Sequence, residues 1–173
     1  FFCVKVMTKS NTSNNKKGVD AAMAGNHIEA ENFFRRAIKE NRTVIEGSMN
    51  LIRLLHKQGR HDEAINTFKE LKAQTGIRQM HPQILYMASK SALEIGDLKI
   101  AIESLKILAR LNPENTEIQC MLSRALIESG QLLESKKILE RAIQLSPEDP
   151  SIATQLAITE SELGNHEKAE RIH

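Results

Sequence analysis

Six histidines and two cysteines are the side chains of this 173-residue chain best able to hold a metal or move a proton. Their spacing argues against both roles. His56 and His61 stand five residues apart, which does not place two ligands on one helical face. No HExxH, paired CxxC or calcium-loop spacing is present. His27, His61 and His166 each follow a glycine by two residues, so they recur with a turn and are expected to cap it or be solvated there. Cys120 has no histidine close in sequence and reads as a small packing residue rather than a nucleophile. Phosphate-cradling glycine loops and the GxSxG elbow are absent. The expectation is a segment that is not an enzyme, with no catalytic, cofactor-binding or metal-binding residues.

Composition narrows the class. Apolar residues make up 40% and charged residues 27%, a balance typical of globular proteins. Aromatics are only 3%, with no Trp, so a core must be built from Leu, Ile, Ala and Met, which suits closely packed helices. A net charge of +2 makes no case for a nucleic-acid partner. No apolar run reaches the length of a membrane span. Cys3 and Cys120 do not form a disulfide framework, and the chain reads as cytoplasmic. The opening Phe1-Phe2-Cys3-Val4-Lys5-Val6 is too short for a signal-peptide core. Met7-Thr8-Lys9-Ser10 looks like a start, and residues 1–10 are expected to be disordered or non-native.

The elements that carry these residues follow from a repeat. Five of the eight glycines open one short pattern: Gly25-Asn-His-Ile-Glu-Ala30, Gly59-Arg-His-Asp-Glu-Ala64, Gly96-Asp-Leu-Lys-Ile-Ala101, Gly130-Gln-Leu-Leu-Glu-Ser135 and Gly164-Asn-His-Glu-Lys-Ala169. Their spacings are 34, 37, 34 and 34. In the same frame, small residues recur as Gly18, Ser89, Ser123 and Ala157, with Ile52 the exception. Large apolar residues recur as Phe34, Phe68, Leu105 and Leu139, and Pro113 and Pro147 close two units. Residues 98–111 place Leu98, Ala101, Ile102, Leu105, Leu108 and Ala109 on one face of a helix, and residues 132–145 do the same. Sustained period-two alternation is absent, so strands are not expected.

This pattern resembles the tetratricopeptide repeat. The resemblance spans residues 11–173, divided into repeats 11–44, 45–78, 82–115, 116–149 and 150–173, the last truncated inside its second helix. It implies an all-α, right-handed superhelical solenoid of antiparallel helix hairpins. Each hairpin would turn at its glycine, where positive φ is needed. Thr116 and Ser151 are expected near helix starts, where a hydroxyl can cap. Asn11 to Lys17 is polar and expected to fray. Gly76 should cap one helix and Pro82 begin the next, with a change of superhelical twist between them. The truncation is read as a mark of a longer protein.

In this family the first helix of each hairpin lines the concave side. The resemblance therefore implies a partner-binding groove formed by Met49, Asn50, Arg53 and Lys57, by Gln83, Tyr86 and Lys90, and by Glu117, Cys120, Arg124 and Glu128. Arg53, Lys90 and Arg124 share one position and form a basic line suited to an acidic or carboxylate-bearing peptide. The competing reading is intrahelical pairing, Lys90 with Glu94 and Arg124 with Glu128. Met49, Met87 and Met121 could be adaptable groove surface or core filling. The positions that clamp a chaperone C-terminus in some members hold Met49, Arg53, Met87, Glu117 and Met121 here, which departs from that motif.

The implied function is a scaffold that binds a peptide or protein segment, with neither nucleic acid nor membrane as partner. A second reading is the N-terminal substrate-selecting arm of a larger bacterial enzyme such as a glycosyltransferase, sulfotransferase or oxygenase. A third is a stack that drives self-association. An RNA-binding pentatricopeptide array fits neither the charge nor the glycine–alanine turn pattern.

Overall fold

The computed structural model describes residues 13–40, 44–77 and 80–172. The expectation for residues 1–10 lies outside them. Ten helices follow in order: α1 Asn14–Met23, α2 His27–Lys39, α3 Val44–Lys57, α4 His61–Thr75, α5 Pro82–Glu94, α6 Leu98–Leu111, α7 Thr116–Glu128, α8 Leu132–Leu145, α9 Pro150–Glu162 and α10 His166–Glu170. No strand occurs among the described residues.

Consecutive helices pair as antiparallel hairpins turned at glycine. The turn after α7 shows why. Gly130 has φ 76°, its N–H donates to the Ile127 carbonyl at 2.9 Å, and the Gln131 N–H donates to the Leu126 carbonyl at 2.8 Å. That is a Schellman closure, and its left-handed residue penalises a side chain. Helix starts differ from expectation at two places. Asn115, not Thr116, caps α7 by accepting from the Ile118 N–H at 3.1 Å. Asp149, not Ser151, caps α9 by accepting from the Ser151 N–H at 2.9 Å. Pro150 takes the first helical position of α9, where its missing N–H is not needed, so the capping role moves one residue upstream of it. Asn14 to Lys17 are helical, with Ser13 capping α1 through the Lys16 N–H, while Asn11 and Thr12 lie outside the described residues. Gly76 ends α4 with φ 74° and Pro82 opens α5.

The repeat positions become the core. Ala30, Ala64, Ala101 and Ser135 are fully buried, and Phe34, Phe68, Leu105 and Leu139 are buried with them. Ile52, the exception to the small-residue pattern, is fully buried as well. Each large apolar side chain so buried contributes about 1.5–3 kcal/mol. Among the first helices, α1 touches α3, α3 touches α5 and α7 touches α9. The second helices are joined instead by ion pairs: Arg35–Glu63 and Arg60–Glu31 link α2 with the α4 hairpin, Lys69–Asp97 and Lys72–Glu103 link α4 with the α6 hairpin, and Lys106–Glu134 links α6 to α8. Close approach on the first-helix side curves the stack with those helices inward.

Candidate protein-binding groove

The first helices α3, α5 and α7 carry the eleven residues of the expected groove, and polar contacts join each helix to the next. Asn50 donates to the Asn15 side chain at 2.9 Å, from α3 to α1. Arg53 donates to Gln83 Oε1 at 3.2 Å, from α3 to α5. Tyr86 donates its hydroxyl to Glu117 Oε1, from α5 to α7. That hydrogen bond, aided by burial, raises the Tyr86 phenol above its ordinary pKa, with Lys90 opposing. The tyrosine thus stays a neutral donor.

Three depressions lie along these helices. Asn50, Arg53 and Lys57 border one of about 340 Å³ with Phe34 and Leu54 at its base. Arg53, Gln83, Tyr86 and Glu117 border a second of about 620 Å³ that reaches Met87, Leu108 and Ile118. Glu117, Cys120 and Arg124 border a third of about 300 Å³ with Met121 and Gln155. Arg53 and Glu117 each stand between two depressions. Met49, Lys90 and Glu128 do not line them.

The expected intrahelical pairing is corrected for one of its two pairs. Lys90 does not pair with Glu94. Its ammonium lies 3.3 Å from the Tyr86 hydroxyl and 5.1 Å from the ring centroid. A helical side chain leans toward the N-terminus of its helix, and there Tyr86 offers both a hydroxyl and a π face. Arg124 approaches Glu128 only to 4.0 Å, with both groups about half exposed, which is worth little. Among the described residues, Arg53 and Lys90 form no ion pair, and their neighbours are the neutral Gln83 and Tyr86.

Other candidates resolve toward packing. Met49, Met87 and Met121 are partly buried against the main core. Cys120 packs beside Leu139, Ala142, Ile152 and Leu156, and burial, with Asp149 nearby, pushes its thiol pKa up. A raised thiol is a poor nucleophile at neutral pH. His27, His61 and His166 open α2, α4 and α10. One arrangement was not visible in sequence. The turn between α3 and α4 brings the His56 and His61 rings to 5.1 Å between centroids, and His56 Nδ1 lies 2.9 Å from Ser91 Oγ on α5. Among the described residues no cluster of three or more His, Cys, Asp or Glu could hold a metal, and no helix is long and apolar enough to cross a membrane.

Comparison with known proteins follows the same architecture. Two family models, both described as tetratricopeptide repeat, match residues 21–76 and 86–150. The chain belongs to the tetratricopeptide-repeat family. Among solved structures, it superposes on YrrB, described as a tetratricopeptide-repeat protein with an unusual peptide-binding site, with TM-score 0.79 at 16% identity over 92% of this chain and 80% of that one. MamA AMB-1 gives 0.75 at 19% identity over 92% of this chain and 85% of that one. MamA from Desulfovibrio magneticus RS-1 gives 0.72 at 17% identity over 92% and 88%. Identities this low establish the tetratricopeptide fold and nothing finer. No curated protein matches the chain.

Proposed function

We propose that this tetratricopeptide stack is a protein-interaction scaffold whose concave face binds an extended segment carrying carboxylates. The observation that carries the reading is the state of Arg53 and Lys90. Both cations sit on the inner helices beside neutral partners, and Arg53 stands between two largely apolar depressions. A carboxylate arriving there meets two cations that form no ion pair among the described residues, and an arginine and a lysine can both hydrogen-bond it. Gln83 and Tyr86 supply neutral hydrogen-bonding groups that fix orientation rather than charge. Glu117 and Glu128 make the α7 end of the face mixed in sign, so the acidic group is placed toward α3 and α5. The description of YrrB as having a peptide-binding site supports a peptide as the class of ligand.

The reading is tested on an array of immobilised peptides of graded acidity. The wild-type chain should retain acidic peptides, and the triple variant Arg53→Glu, Lys90→Glu, Arg124→Glu should lose them while its helical circular dichroism is unchanged. Equal retention by a correctly folded triple variant would remove the groove from consideration.

A further inference from the structure

A second candidate surface lies on the other side of α7. Taken at about 100° per residue, Glu117, Cys120 and Arg124 share one face of that helix, whereas Gln119 and Leu122 point the opposite way. Gln119 and Leu122 form the floor of a cleft of about 550 Å³ between α6 and α8. The floor and walls are otherwise apolar, with Ala109, Pro113, Ile138 and Ala142, and Gln119 is tied down by donating to the Pro113 carbonyl at 3.2 Å.

The rim is basic. Lys106 and Arg110 project from α6 four residues apart, and Lys137 and Arg141 project from α8 in the same relation. Like charges at that spacing repel and destabilise a helix by a few tenths of a kcal/mol. On α2 and α4 some cations are met by a carboxylate from the neighbouring hairpin, as in Arg35–Glu63 and Lys72–Glu103, while Arg36, Lys39 and Lys99 form no ion pair among the described residues. Here only Lys106 is met, by Glu134 at 2.7 Å. Arg110, Lys137 and Arg141 are exposed and form no ion pair among the described residues. Arg110 stands in the last turn of α6, where a cation complements the helix dipole. Lys137 lies mid-helix on α8 and has no such reason.

We infer that the α6–α8 cleft is a second binding site, distinct from the concave groove, for an acidic protein segment with an aliphatic side chain. The three unmatched cations supply the attraction for its carboxylates, and the Ala109–Leu122–Ile138 floor takes the aliphatic group. Charge complementarity selects an acidic partner, and the absence of any aromatic side chain from the lining disfavours stacked nucleic-acid bases. This site does not depend on the groove reading.

The test uses the whole chain and a fluorescein-labelled peptide of glutamate and leucine, followed by anisotropy and by amide chemical shifts. Shifts should centre on Ala109, Ile138 and Arg141, and affinity should fall with added salt. The variant Arg110→Glu, Lys137→Glu, Arg141→Glu should bind about tenfold or more weakly, three exposed ion pairs being removed and reversed. The groove variant Arg53→Glu, Lys90→Glu, Arg124→Glu should keep both the affinity and the shifts at α6 and α8. The inference is overturned if shifts centre on Tyr86 and Arg124. It is also overturned if an all-glutamate peptide binds as tightly, or if an RNA oligonucleotide or a second copy of the chain takes the cleft in its place.

Discussion

The hydroxyl oxygens of Ser123 and Ser135 lie 2.8 Å apart inside the fourth hairpin, both fully buried. Ser135 is also 3.2 Å from Thr159 Oγ1, and Thr159 donates to the Gln155 carbonyl at 2.8 Å. The proton of Thr159 being committed, the chain of donors runs from Ser123 to Ser135 to Thr159 to the backbone. Positions that need only be small thus hold a directed hydrogen-bond relay joining α7, α8 and α9.

Breaking that relay in the middle should cost more than removing its upper part. Ser135→Ala strands the Ser123 hydroxyl in a dry site and is expected to destabilise by about 1–3 kcal/mol. The double variant Ser123→Ala, Ser135→Ala leaves no stranded donor and should recover part of that loss. Urea midpoints of the three proteins decide it, and an unchanged midpoint for Ser135→Ala contradicts the relay.

Two glycines should resist alanine for opposite reasons. At Gly18 a Cβ would come 2.5 Å from the buried Phe34 ring, so Gly18→Ala overpacks and costs about 1–3 kcal/mol. At Gly130 a Cβ meets open space, but φ 76° is strained for any residue with a side chain. Asn tolerates that conformation, so Gly130→Asn should melt above Gly130→Ala, while Gly18→Asn should melt below Gly18→Ala.

Glu160 carries a pH dependence. It is fully buried, which by itself raises its pKa, yet Lys168, Lys136 and Asn165 hydrogen-bond it and hold it at about 2, against 4.5 when unfolded. A depressed acid stabilises the fold only while ionised. Its contribution is therefore complete above about pH 4.5 and lost as pH falls toward 2. Glu160→Gln should be less stable at neutral pH and should flatten the acid limb of a thermal-melt profile. An acid limb identical to the wild type excludes the assignment.

His56 adds to the same loss of stability on acidification, at higher pH, because there the fold favours the neutral form. Burial first, then the neighbouring His61 and Lys90, lower its pKa below the ordinary 6.5, with Glu94 opposing. The unfolded chain therefore takes up a proton before the folded one, and stability falls as pH drops below about 6.5. Imidazole shifts in a two-dimensional spectrum should show His56 titrating below 6.5, and His56→Gln should reduce the fall in melting temperature on acidification. A His56 midpoint above 6.5 is incompatible with this cluster.

Local chemistry alone was enough for the hairpins. A glycine recurring at spacings of 34, 37, 34 and 34 marks where the chain must turn, and the helical recurrence of Ala, Leu and Phe marks which faces meet. These signals lie within one hairpin, so they survive without any knowledge of its neighbours. Proline placement was only half legible, because Pro150 fixes the start of α9 but does not reveal that Asp149, one residue before it, does the capping.

The candidate groove was legible as a set of positions, not as a set of contacts. Arg53, Lys90 and Arg124 share a register, but whether each charge is spent depends on what lies beside it in space. Gln83 reaches Arg53 from the next hairpin, and the Tyr86 ring draws Lys90 away from Glu94. The His56–His61 pair and the α6–α8 cleft depend on the same thing, since each brings together residues of separate helices. The amino-acid sequence by itself determined the helical hairpins and the glycines at which they turn, because helix formation and turning are governed by neighbours three or four residues away. The partners of charges such as Arg53 and Lys106 were decided by the tertiary structure, because those contacts act across hairpins some thirty residues apart, where sequence spacing carries no distance.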